Sequence, residues 1–271
     1  MIRAIRSEYR KLTSTRGWWI LLLVLVGYVG FTAALLAGLF GALGEQLAGT
    51  QGAPQIDSKS LPAIIYSLTT AIGYVFPLIL GVLVVTSEFR HQTLTPTFLA
   101  IPRRSTVLAA KLVVLFGAGA VYGVAGVIGS VGLGAPILAL TGNDAAIDSG
   151  ETWLLLARIV LAMAIWAVVG AGIGALIPNQ IAAIVVVLAF TQFVEPILRF
   201  AATIWAWTAD VGKFLPGAAS DALVGASFYT TLSPAAATAT LEWWQGGLVL
   251  IGIATTFAAA GAMTSWRKDV T

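Results

Sequence analysis

Long uncharged apolar runs alternate with short charged segments along this chain, and the length of each apolar run decides what it can form. A helix rises about 1.5 Å per residue, so about 20 apolar residues cross the roughly 30 Å hydrocarbon core of a bilayer. Six runs come close to or exceed that length, at 18–43, 62–86, 107–140, 153–177, 181–198 and 243–265. Lipid offers no hydrogen bonds to a backbone, so each run is expected to satisfy its own as a helix. Only Pro178, Asn179 and Gln180 separate the fourth and fifth runs, which predicts a tight turn and antiparallel neighbours. The stretch 199–242 differs, because Arg199, Asp210, Lys213 and Asp221 cut it into pieces too short to cross. Pro234 and many Ser and Thr residues argue against a seventh span at 222–241. The expectation there is an external re-entrant or surface helical hairpin between spans five and six. The predicted fold is an all-α integral membrane protein of six transmembrane helices in a single domain over 1–271.

Charge orients this arrangement, since cytoplasmic loops collect Lys and Arg. With the N-terminus inside, the cytoplasmic segments hold Arg3, Arg6, Arg10, Lys11, Arg16, Arg90, Arg103, Arg104, Lys111, Arg267 and Lys268, which is 11 of the 15 basic residues. Of the 12 acidic residues only Glu8, Glu88 and Asp269 fall on that side, while Asp144, Asp148 and Glu151 crowd one outer loop. Both termini are therefore expected in the cytoplasm. Trp18, Trp19, Trp153, Trp243, Trp244 and Trp266 fall at span ends, where indole rings prefer the headgroup layer, and Trp166 lies mid-span. The basic first sixteen residues followed by an apolar run imitate a secretory signal, but 17–44 is uncharged for 28 residues, too long for a signal core. It reads as a retained first span.

Composition narrows the chemistry. The chain is 58% hydrophobic and 10% charged, with a mean hydropathy of +0.92, and has no Cys and one His, His91. Thiolate metal sites are excluded and most other transition-metal sites disfavoured. The pI of 9.3 does not point to nucleic acid, because the basic residues sit in short segments between spans. There is no phosphate-binding loop and no soluble stretch long enough for a nucleotide-binding domain, so ATP hydrolysis by this chain is not expected. An intramembrane protease would need a Ser–His pair, paired carboxylates or zinc ligands within the bilayer, and no two carboxylates share a span.

Four features carry functional readings. Ile2, Ile5, Tyr9 and Leu12 recur at helical spacing, with Arg3, Arg6, Arg10 and Lys11 elsewhere around the helix, which predicts an amphipathic interfacial helix over 1–16. It serves either as an anchor for the first span or as a lever that also touches a cytoplasmic partner, with Arg6, Tyr9, Arg10 and Lys11 as its candidate residues. Gly119 with Gly123 and Gly170 with Gly174 are GxxxG pairs, suited to packing within one chain or to a dimer seam. Arg158 and Glu195 are ionisable groups inside spans, costly unless paired. Counted from the Pro178 turn they reach similar depth, so they form an ion pair pinning spans four and five or else snorkel separately to the headgroups. The fourth feature is the segment 87–105 between spans two and three. It has a charged start, a Ser/Thr-rich turn, an apolar Phe98-Leu99-Ala100-Ile101 patch and a basic end.

In that segment Glu88, Phe89, Arg90, His91 and Thr93, followed by Pro102, Arg103 and Arg104, resemble the type-2 ABC exporter permeases of bacteria. Ser7 to Leu12 and Arg16-Gly17-Trp18-Trp19 resemble the same family's approach to its first span. The resemblance, with the six-span count, covers essentially the whole chain. It implies a half-transporter whose segment 87–105 docks as a coupling helix into a separate cytoplasmic ATPase, with Glu88, Phe89, Arg90, His91, Thr93, Arg103 and Arg104 as the coupling interface. It further implies two copies of that ATPase, which bind ATP and Mg while this chain binds no cofactor, and a second permease, identical or related. The implied setting is the bacterial plasma (inner) membrane. The implied work is export of an amphiphilic small molecule, drug, peptide or lipid. Gln92 stands where the family pattern commonly has Gly, which puts the turn geometry there in question. A secondary transporter or channel working without ATP is the alternative, but it predicts inverted repeats, and no convincing duplication is seen. A non-transporting membrane scaffold is the third reading.

Overall fold

The computed structural model describes residues 1–48, 57–101, 103–202, 206–227 and 241–264. Pro102, Trp266, Arg267, Lys268, Asp269 and, within 199–242, residues 203–205 and 228–240 lie outside the described residues. All regular structure among the described residues is helical. In chain order the helices are α1 (Ile2–Ser14), α2 (Gly17–Ala48), α3 (Leu61–Ala71), α4 (Val75–Arg90), α5 (Leu94–Ala100), α6 (Arg104–Leu140) and α7 (Gly150–Leu176). They continue with α8 (Gln180–Ala189), a π-helical turn (Phe190–Val194), α9 (Glu195–Ala201), α10 (Ala206–Gly212), α11 (Pro216–Val224) and α12 (Trp243–Met263). Six segments are long and apolar enough to cross a membrane: Gly17–Gly44, Leu61–Arg90, Arg104–Leu140, Gly150–Leu176, Gln180–Ala201 and Trp243–Met263. They match the six read from the sequence, and the chain is a multi-pass membrane protein.

Two spans are interrupted. Span two leaves helical geometry at Ile72 and restarts at Val75, and Leu25 and Val29 of α2 press against Gly73 at the break. Span five widens into the π-helical turn at Phe190–Val194 before Pro196 enters the first turn of α9. A π-turn inserts a residue and re-aims everything after it, and such turns gather at functional sites.

α7 stands at the centre and packs against α4, α6, α11 and α12. Glycine allows two of these approaches. Gly119 and Gly123 of α6 lie on Met163, Ala164 and Val160 of α7, and Gly170 and Gly174 of α7 lie on Leu78 and Val82 of α4. A side chain at these positions would run into the opposing backbone, so both GxxxG pairs pack helices within one chain. The span of α8 and α9 is the least enclosed of the six; Ile181, Val185, Phe193, Ile197 and Phe200 are uncovered. α1 lies along α6 and buries Ala4, Glu8 and Leu12, at i, i+4 and i+8. The apolar stripe expected from the sequence is therefore split: Leu12 turns inward while Ile2 and Tyr9 stay exposed beside Arg3, Arg6 and Arg10. The helix rolls this way because Glu8 finds cations on the inside.

Candidate functional site: a buried charge cluster at the turn between α4 and α5

The site is assembled where α4 ends. His91 leaves helical geometry, Gln92 adopts a left-handed φ of 55°, and the chain turns into α5. Thr93 N donates to Glu88 O (3.1 Å) and Gln92 N to Phe89 O (3.3 Å). These are the two bonds of a Schellman stop, whose left-handed position is usually Gly. Gln92 thus keeps the glycine-type turn without being glycine. α5 follows, with Leu94 buried, Leu99 80% exposed and the Thr97 hydroxyl on the Thr93 carbonyl (2.8 Å). Arg104, at the start of α6, stacks over the Phe98 ring at 5.0 Å, tying α5 to the start of α6.

The turn places Glu88 in a cluster of four charges. Lys11 Nζ of α1 donates to Glu8 Oε1 (2.7 Å), to Glu88 Oε1 (2.8 Å) and to Thr97 of α5 (3.2 Å). Lys111 Nζ of α6 donates to Glu8 Oε2 and lies 3.1 Å from Glu88 Oε2. Glu8, Glu88 and Lys111 are buried, with Lys111 only 1% exposed, while Lys11 remains partly open. Two carboxylates and two ammonium groups make a neutral set, which is the condition for burying charge at tolerable cost. Burial opposes the charge on Lys11, but its hydrogen bonds to Glu8 and Glu88 outweigh that and hold it above the ordinary 10.5.

Of the residues singled out from the sequence, Glu88, Thr93 and Lys11 meet here. Phe89 packs on the apolar core, and Arg90 donates to Gln180 at the start of α8 (3.2 Å). His91, Arg103, Arg6, Tyr9 and Arg10 are exposed. Glu8 and Lys111 were not expected in the site. Lys111 is the one charge in an otherwise uncharged stretch from 105 to 140, and that isolation was the available signal that it needs a buried partner. A cavity of about 440 Å³ opens beside the cluster. Trp18, Leu21, Leu80 and Leu83 form its apolar wall, and Lys11, Glu88 and Lys111 its charged end.

At the opposite ends of α4 and α7 from the cluster, the expected Arg158–Glu195 pair is not formed. Arg158 stacks over Trp243 at 4.8 Å, and Glu195 Oε1 instead accepts from Arg199 Nε (3.2 Å) and Gly217 N (2.5 Å). Arg199 reaches on to Asp221 Oδ2 (2.8 Å). The physical reason is α11. Its N-terminal N–H groups attract Glu195, while Arg158 lies beside Gly225 at its C-terminus, so each charge meets the helix end of opposite polarity. The two residues hold α11 from its two ends rather than holding spans four and five together.

A family model described as ABC-2 family transporter protein matches residues 4–197. No curated protein and no solved structure matches the chain.

Proposed function

Because the chain belongs to the ABC-2 transporter protein family, whose members are membrane subunits of ABC transporters, we propose that it is the permease half of an ATP-driven exporter in a bacterial plasma membrane. Two copies of a separate cytoplasmic ATPase bind ATP and Mg, and a second permease copy or a related permease completes the membrane part. The buried cluster Glu8–Lys11–Glu88–Lys111 is the observation that carries this reading. It joins α1, α4 and α6 and, through Thr97, α5, so a push on the exposed face of α5 is passed to three elements at once. Leu99, His91 and Arg103 form the exposed face presented to the ATPase, and Arg90 extends the connection to span five through Gln180. The cavity beside the cluster, apolar on one wall and charged at one end, suits an amphiphilic cargo: a small molecule, drug, peptide or lipid.

The test is co-purification in mild detergent with the ATPase encoded beside the chain, together with ATP hydrolysis. Three forms are compared: wild type, Glu88→Ala with Arg90→Ala, and Leu99→Asp. The reading expects a complex in wild type, loss of binding in Leu99→Asp with unchanged permease folding, and a weakened or uncoupled complex in the double variant. Failure of wild type to bind any ATPase sinks the exporter and favours transport without ATP or a scaffold.

A further inference from the structure

Glu195, 2% exposed, carries one carboxylate oxygen, Oε2, that is buried and has no hydrogen-bond partner among the described residues. Its other oxygen takes both the Arg199 guanidinium and the Gly217 N–H. The charges around it do not balance. Arg199 serves Glu195 and Asp221 together, while the Asp221 oxygen that Arg199 reaches also accepts from Ser227 (2.7 Å). From the neighbouring elements, α10 contributes Asp210 and Lys213, which pair with each other (2.9 Å), and Tyr74 donates its hydroxyl to Thr191 O (3.4 Å). Arg158 is held over Trp243. Residues 203–205 and 228–240 contain no Lys, Arg, Asp or Glu. The cluster is therefore one cation short, in a region where an uncompensated charge is strongly disfavoured. The π-turn at Phe190–Val194 and the break in span two both abut a cavity of about 10 Å³, room for about one water, lined by Thr70, Tyr74, Thr191, Glu195 and Asp221.

We propose that Glu195 Oε2 is a proton-binding site whose occupancy sets how firmly α11 is held against span five. Proton uptake forms one O–H bond at Oε2 and removes one negative charge; Arg199 then keeps Asp221 as its anionic partner. The neutral carboxyl is a weaker acceptor for Gly217 N, so the N-terminal turn of α11 loosens. Asp221 keeps Ser227 and Arg199 on the same oxygen.

The experiment uses the full chain in nanodiscs between about pH 5 and about pH 9, where ordinary carboxylates stay ionised. Infrared difference spectra of wild type are expected to show the carbonyl stretch of a protonated buried carboxylic acid growing as pH falls, and Glu195→Gln to lack it. Asp221→Asn restores charge balance, so it too is expected to lose the band from this range, which keeps the test valid if Glu195→Gln fails to fold. The chain has no cysteine, so Ser220→Cys gives a single thiol on α11, read against Ser58→Cys as an exposed reference. Its normalised labelling is expected to rise severalfold on acidification and, in the Glu195→Gln background, to be high and independent of pH. Absence of a Glu195-dependent band across the range, or pH-dependent labelling that survives in Glu195→Gln, overturns the proposal.

Discussion

Single positions in this protein are set by neighbours far away in sequence. Gln92 has a left-handed backbone that costs an L-residue about 1–2 kcal/mol, partly offset by the greater chain entropy that glycine loses on folding. Gln92→Gly is therefore expected to stabilise the protein by about 1 kcal/mol, read as a rise in the thermal unfolding midpoint in detergent; a fall would mean the Gln side chain contributes more than the strain. Gly217 shows the opposite constraint. A Cβ there would overlap the carboxylate of Glu195 and the guanidinium of Arg199. Gly217→Ala is expected to cost about 1–3 kcal/mol, the usual penalty for overpacking, and to expose α11 to proteolysis or thiol labelling. Wild-type protection in that variant would show that the cluster yields without loss. Arg158 and Glu195 were legible as costly charges within spans, since an isolated ion in an apolar run needs a partner. Their true partners were not, because α11 approaches from a segment whose depth leaves no periodic signal.

At the scale of elements, length alone made the spans legible: about 20 apolar residues have one outcome in lipid. The interruptions were hidden for the same reason. Ile72-Gly73-Tyr74 and Phe190–Val194 lie in apolar runs like the helices they interrupt; Leu25 and Val29 of α2 press on the first, and the Tyr74 hydroxyl donates to the Thr191 carbonyl of the second. For α1 the periodicity was visible but its inward face was not, since Glu8 is buried only because Lys111 receives it. Removing Lys111 leaves two buried carboxylates sharing the half-open Lys11, so Lys111→Met is expected to cost about 3–5 kcal/mol. Adding Glu8→Leu restores one carboxylate to one ammonium and should recover more than half of that loss in a double-mutant cycle of unfolding free energies. No recovery would mean that Glu8 and Lys111 are not coupled. Lys11 adds a pH signature. Its folded value lies above 10.5, so its contribution is complete below about pH 10.5 and is lost as pH climbs through the folded value. The stability gap between wild type and Lys11→Met should be constant near neutrality and shrink above that pH; a gap that stays unchanged as pH climbs well above 10.5 would contradict the pairing.

Across the whole molecule, two charge clusters sit at opposite ends of one scaffold. The Glu8–Lys11–Glu88–Lys111 set binds α1 and, through Thr97, α5 to α4 and α6, and both of these last helices pack on α7. The Glu195–Arg199–Asp221 set holds α11, which packs on α7 and α12 and whose Ser220 accepts from the Trp166 indole of α7 (3.1 Å). α7 is the most enclosed span, close-packed through glycines on two sides, and a helix so confined shifts as a unit rather than bending. The two clusters should therefore be separable in assembly and coupled in action. On the proposed docking of the ATPase at α5, Gly217→Ala is expected to leave ATPase co-purification at the wild-type level while changing how far cargo stimulates hydrolysis, because it alters only the end remote from α5. Lys111→Met is expected to weaken both, because it loosens the elements that carry α5. Measuring binding and cargo-stimulated hydrolysis on the same preparations separates these outcomes. Should Gly217→Ala change neither, α11 lies outside the transmitted motion and α7 serves as a static core; should it abolish binding, the two ends are joined too tightly to be treated as distinct sites.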